Sequence, residues 1–140
     1  MICRGAVGLA LVLATLVGAT VAAAQRNDVV KAASEPIMSQ LEAFRRDDYD
    51  AAYVFASAEV KQMFDRQAFE RMVKGGYPEI ARSTFALVAR TEVSPDGDVY
   101  VQVRIRGANG SGIEAVYQMV RERDGWRINS VVTRPDSGVI

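Results

Sequence analysis

Val99 to Arg106 alternates without a fault. Val99, Val101, Val103 and Ile105 fall on one face of an extended chain, and Tyr100, Gln102, Arg104 and Arg106 on the other. Such period-two alternation means a strand with one buried face and one wetter face. Glycine-ended loops bracket it, Ser94-Pro95-Asp96-Gly97-Asp98 before and Ala108-Asn109-Gly110 after. Pro95 presets its φ and Gly97 accepts positive φ, which fits a three-residue hairpin loop. Ser94 then pairs with Asp98, and Phe85, Leu87 and Ala89 join the valine face. The same loop type at Ala108 to Gly110 adds Ile113, Ala115, Tyr117 and Met119. The rival, a two-residue Asn109-Gly110 turn, would set Glu114 and Gln118 against the valines and so loses. Asp124-Gly125 suggests a two-residue turn into Trp126, Ile128, Ser130 and Val132. Arg82 to Arg134 therefore reads as a four-stranded antiparallel meander.

What precedes the meander is patterned for helices. Ser34-Glu35-Pro36 looks like a helix start, with Ser34 as N-cap. Ile37, Leu41 and Phe44 form one apolar stripe ending near Arg46. Asp47-Asp48 break that helix, and one of them caps the next, Tyr49 to Ala56. Ser57 caps a third, Ala58 to Phe64, and Asp65 a fourth, Arg66 to Lys74. Gly75-Gly76 stop the fourth, one as a left-handed C′ residue. Tyr77-Pro78 predicts an extended exit. Helices segregated from strands define an α+β domain, with N-terminal helices packed on one face of a curved four-stranded antiparallel meander sheet.

Residues 1–24 read as a secretory signal peptide. Arg4 supplies the positive start, an uncharged Ala/Leu/Val/Gly run follows, and Ala22-Ala23-Ala24 offers small residues for cleavage between Ala24 and Gln25. The uncharged run from Gly5 to Ala24 is also about long enough, at roughly 20 residues, for a retained membrane anchor. The expected layout is a leader at 1–24, a flexible segment at 25–34, one domain at 35–134 and a tail at 135–140. The expected location is secreted and periplasmic.

Counts exclude more than motifs do. The chain has no His and one Cys, Cys3, which lies inside the leader. The processed chain therefore has no disulfide, no Cys/His zinc site and no Ser-His-Asp or Cys-His catalysis. Loss of residues 1–24 removes Arg4 alone, leaving 16 basic residues against 17 acidic ones, net −1. That balance gives no footprint for nucleic acid. No phosphate-binding or dinucleotide loop is present, and no cofactor or metal is expected.

The runs Gln40-Leu41-Glu42-Ala43-Phe44-Arg45-Arg46-Asp47-Asp48-Tyr49, Ala52-Tyr53-Val54-Phe55-Ala56-Ser57 and Phe69 with Met72-Val73-Lys74-Gly75-Gly76-Tyr77-Pro78 resemble the bacterial family of domain of unknown function 4864. Asp124-Gly125-Trp126-Arg127-Ile128-Asn129 is similar to the last strand of that family and of the nuclear-transport-factor-2-like superfamily. The resemblance covers Ile37 to Val132. It implies a cone-shaped fold with a cavity between helices and sheet, and no particular activity.

Three functional classes follow. The first is a non-catalytic small-ligand-binding or accessory module, with Tyr53, Tyr117, Met119, Arg121 and Ser130 as pocket candidates. Arg121 can pair with an anionic group there, with Tyr117 and Ser130 adding hydrogen bonds. The second is a homodimer or an envelope-protein interaction module. It would use an outer sheet face punctuated by Val88, Tyr100, Val116, Val120 and Val131. On that face Arg104 is expected opposite Glu114, and Glu122 opposite Arg127. The third is an isomerase or lyase drawing on Asp47, Asp48 or Asp50 with a tyrosine. It requires a carboxylate within hydrogen-bond reach of pocket space. No acid falls on the expected inner sheet face, so no catalytic residue is assigned. Capping accounts for the aspartates.

Overall fold

The computed structural model describes residues 10–138. Five helices, α1 (Ala10–Arg45), α2 (Tyr49–Val54), α3 (Ala58–Met63), α4 (Arg66–Gly76) and α5 (Pro78–Ala81), precede four strands among these residues. The strands are β1 (Ser83–Val93), β2 (Val99–Gly107), β3 (Gly112–Glu122) and β4 (Gly125–Pro135), hydrogen-bonded in chain order as one antiparallel sheet. The fold is α+β. Its core lies between the helical layer and the face of the sheet that carries Val99, Val101, Val103, Ile105, Ala115, Tyr117 and Met119. Fully burying one such side chain contributes about 1.5–3 kcal/mol, so β2 alone anchors the layer strongly.

The short helices begin where local chemistry places them. The Asp48 carboxylate accepts from the Ala51 N–H at 3.0 Å, Ser57 Oγ from Val60 at 3.2 Å, and Asp65 from Ala68 at 2.7 Å. Each such cap is worth about 1 kcal/mol. Asp47, at φ 55, takes the left-handed turn that ends α1.

Four helical expectations are corrected. Residues 25–34 are helical rather than loose, and Ser34 is not an N-cap: α1 runs straight through Pro36. Ser34 Oγ donates instead to the Val30 carbonyl at 2.8 Å. The reason is that the apolar stripe continues upstream, with Ala33 and Ile37 both wholly buried and Val29 packed against the core. Burial on both sides of the proline offsets its cost of about 3 kcal/mol in a helix interior. Gly75 and Gly76 stay inside α4, and neither has positive φ. The chain does not leave extended at Tyr77-Pro78, because Pro78 sits in the first turn of α5. The leader assigned to 1–24 falls partly outside the described residues, and from Ala10 onward it is continuous with α1. Among the described residues no helix is long and apolar enough to cross a membrane.

The first two hairpin loops take the expected form. Ser94 N–H donates to Asp98 O at 2.8 Å, and Gly107 N–H to Ser111 O at 2.9 Å, each enclosing three residues. Arg104 pairs with Glu114, which also bonds Arg134.

The outer strands depart from the expected register because each carries a bulge. In β1, Arg90 faces Gln102 but Val88 faces Val103, so Ala89 is the extra residue. Beyond it the faces exchange. Ala86 and Val88 turn inward against the core, while Phe85 and Leu87 turn out. At the start of β1 the end of α1 is tied to the strand, with Arg45 Nε donating to Ser83 O and Oγ, both at 3.0 Å. In β4 the two-residue turn is Arg123-Asp124, since Glu122 pairs with Gly125. Arg127 therefore faces Val120 rather than Glu122, and ion-pairs with Asp124 at 3.2 Å. A second shift, at Asn129, turns Val131 inward and puts Ser130 and Val132 on the outer face. Val88 and Val131 are thus removed from the outer-face set, and Ser130 from the inner-face set.

Gly97 sits at φ +91 with open space where a Cβ would stand. Gly97→Val therefore meets no clash, and its cost is backbone strain of about 1–2 kcal/mol. The expected result is a melting midpoint several degrees lower, at about 4–8 °C per kcal/mol for a domain of this size. An unchanged midpoint by circular dichroism would overturn the turn assignment.

Candidate functional site

The helical layer meets the sheet edge through backbone. Ser57 N–H donates to Ile128 O at 2.9 Å, and Ile128 N–H donates to Phe55 O at 2.8 Å. These bonds pin the α2–α3 junction alongside β4. Between the pinned edge and the core lies a cavity of about 280 Å³. Phe44 of α1 and Phe69, Met72 and Val73 of α4 form one side. Val60 and Met63 of α3, with Phe64 just after it, line it beside them, and Tyr117, Ile128 and Val131 line it from the sheet. Apolar atoms dominate the wall, as in most small-molecule sites.

Polar groups at the cavity are few and mostly committed. Gln40 Nε2 donates to Ala52 O at 3.1 Å. Asn129, the bulge residue, accepts from Ser57 Oγ at 2.8 Å and donates to Gln118 Oε1 at 3.3 Å. Ser130 Oγ donates to the same Gln118 oxygen at 3.1 Å, and Gln118 Nε2 reaches Asp98 at 2.9 Å. Tyr117 is the exception. It is almost wholly buried, and among the described residues no group hydrogen-bonds its hydroxyl. A buried polar group without a partner calls for a functional account. Burial also pushes its ionisation well above the usual 10.

Of the five pocket candidates, the structure places Tyr117 and Ser130 at the cavity wall. Ser130 contributes from the bulge, with its hydroxyl directed to Gln118 on the outer face. Tyr53 stands behind the wall. Its hydroxyl donates to Phe64 O at 2.6 Å and its ring lies 5.2 Å from Phe69, so it holds two residues that do line the cavity. Met119 is buried in the core away from the wall. Arg121 is exposed, with its guanidinium 5.8 Å from the centre of the Trp126 ring, and takes no part in the cavity. It pairs with Trp126 next to the β3–β4 turn. Tyr100, Val116 and Val120 face outward, opposite Gln118, Gln102 and Arg127 respectively.

Sequence reasoning missed the helical wall, Gln40, Val60, Met63 and Phe64 above all. Val60, Met63 and Phe64, three apolar residues at helical spacing after the cap at Ser57, were the available signal. No carboxylate lines the cavity among the described residues. Asp48 caps α2, Asp50 pairs with Arg66 at 2.6 Å, and Asp47 pairs with Arg82 at 3.5 Å. The carboxylate that acid–base chemistry at this site requires is therefore not in its wall. A second hollow of about 730 Å³ lies between Gln25–Val30 of α1 and Thr91–Val93 of β1 and opens broadly to solvent.

Helices over one face of an antiparallel meander, enclosing an apolar cavity, define the α+β cone class. Comparison with solved structures agrees. The fold is similar to a crystal structure of an NTF2-like protein of unknown function from Shewanella baltica OS155, with a TM-score of 0.52 and 12% identity, covering 81% of this chain and 97% of that one. The family model described as Domain of unknown function (DUF4864) matches residues 34–139. The chain belongs to that family. Comparison with curated proteins finds no match.

Tyr117→Phe removes the unpartnered hydroxyl and should raise the stability of the ligand-free protein by about 1 kcal/mol. The pH dependence carries a sign as well. Above pH 10 the unfolded chain loses this phenolic proton while the folded chain keeps it, so stability falls as pH rises and is intact below 10. Urea titrations from pH 8 to 12 should show wild-type losing up to about 1.4 kcal/mol per pH unit more than the variant. Parallel curves would place the hydroxyl in water.

Proposed function

We propose that this chain is an exported, periplasmic binding or accessory module that holds a small, largely apolar molecule in its cone cavity. The observation that carries the reading is an apolar cavity walled by α1, α3, α4 and the sheet, with one buried hydroxyl unpartnered. The absence of a carboxylate from the described wall favours binding over proton transfer. Native mass spectrometry of protein purified from a periplasmic extract tests location and ligand together. The expected spectrum shows a chain cut after Ala24 carrying a small molecule that is lost at higher collision energy. Val60→Trp should empty it, since Val60 lines the cavity from a helix with no buried residue of its own. Equal retention by the variant would move the ligand elsewhere.

A second reading rests on the outer sheet face, where Phe85 and Leu87 of β1, Tyr100 of β2 and Val132 of β4 are 55%, 52%, 38% and 69% exposed. Singly exposed apolar residues are ordinary, but four on one sheet face favour self-association. Sedimentation analysis should then show a dimer that Leu87→Lys with Val132→Lys converts to monomer. A wild-type monomer at high concentration would end this reading.

A further inference from the structure

The cavity's chemistry narrows its occupant, granted the binding reading above. No wall residue among those described is charged, so a carboxylate, phosphate or ammonium would be buried without a counter-charge. The donors at the wall are otherwise engaged. Gln40 bonds Ala52, Asn129 lies between Ser57 and Gln118, and Ser130 bonds Gln118. Tyr77 is only half-buried and can be solvated. Tyr117 alone combines near-complete burial, a place in the wall and a hydroxyl with no partner among the described residues. Trp126 Nε1 is also unpartnered, but Trp126 lies outside the wall.

We propose that the cavity selects an uncharged molecule with a hydrogen-bond acceptor, a carbonyl or ether oxygen, that receives the Tyr117 hydroxyl while its hydrocarbon body fills the apolar wall. Size follows from volume. A cavity of about 150 Å³ accepts benzene, so about 280 Å³ accommodates roughly eleven heavy atoms. A phenol whose ionisation is pushed upward stays a donor across the physiological pH range. An acceptor that meets it recovers what the empty protein forgoes, whereas a pure hydrocarbon leaves the hydroxyl orphaned.

The test uses three probes on one bicyclic skeleton, indane, 1-indanone and indane-1-carboxylate, titrated into the purified chain by ligand-observed NMR. The ketone should bind about tenfold tighter than the hydrocarbon, the fold-change of one buried hydrogen bond. The carboxylate should bind weakest. Tyr117→Phe should bring ketone and hydrocarbon within about twofold of each other with hydrocarbon affinity retained, which also shows that the variant folds. Equal binding of ketone and hydrocarbon to wild-type would overturn the acceptor while leaving the cavity a binding site. Tightest binding of the carboxylate would overturn the uncharged class. Binding of none of the three would sink this inference and the binding reading together. The wild-type comparison alone decides the first of these, whatever the variant does.

Discussion

Two backbone hydrogen bonds join the helical layer to the free edge of the sheet, and the bridge they form, Ala56 beside Ile128, lines the cavity. Ser57 N–H to Ile128 O and Ile128 N–H to Phe55 O give β4 a short parallel partner at one residue, Ala56. An edge strand otherwise presents a row of unpaired groups. Here the pairing is local, and the next residue along, Asn129, is the bulge. Ser57 serves both sides of the junction. Its backbone N–H bonds the sheet, its hydroxyl accepts from Val60 to start α3, and the same hydroxyl donates to Asn129. The start of α3, the strand edge and Asn129 are thereby tied through one residue, and α3, α4 and β4 all line the cavity beside it.

What was legible in the sequence was what local chemistry decides. β2 alternates because it is a central strand with one buried face. Gly97 and Gly110 mark their loops because each takes positive φ. Asp48, Ser57 and Asp65 announce helix starts because each side chain reaches an otherwise orphaned N–H. The bulges were not legible, because a bulge answers to a neighbour. Ala89 is extruded from β1, the strand that packs beneath α1, and Asn129 from β4 where the α2–α3 junction pairs beside it. One extra residue exchanges every face beyond it, which is why Val88 and Val131 point inward and Leu87 and Val132 outward. Pro36 misled for the same reason. Local propensity stops a helix there, but Ala33 and Ile37 are buried one turn apart on either side, and tertiary burial outweighs it.

The site was half visible. Tyr117 was placed on the inner face by β3's register, which two glycine-ended loops determine. The helical wall was not visible, because the turn between Val54 and Ser57 sets which way Val60, Met63 and Phe64 point. The family and the similar NTF2-like structure speak to architecture alone, since one fold hosts many activities and function lives in the site.

The wall itself runs against selection for stability alone. Cavities in a packed interior cost free energy in proportion to their volume, on the order of 20 cal/mol per Å³. The space could be filled by larger side chains at Ala56 and Val60, which both line it. The sheet carries a tyrosine where phenylalanine would leave no orphaned hydroxyl. Two departures from the most stable arrangement, an open apolar space and an unpaired donor beside it, coincide in one place. Each alone is tolerable in a native domain. Their coincidence in one wall is the ground for proposing a bound ligand there.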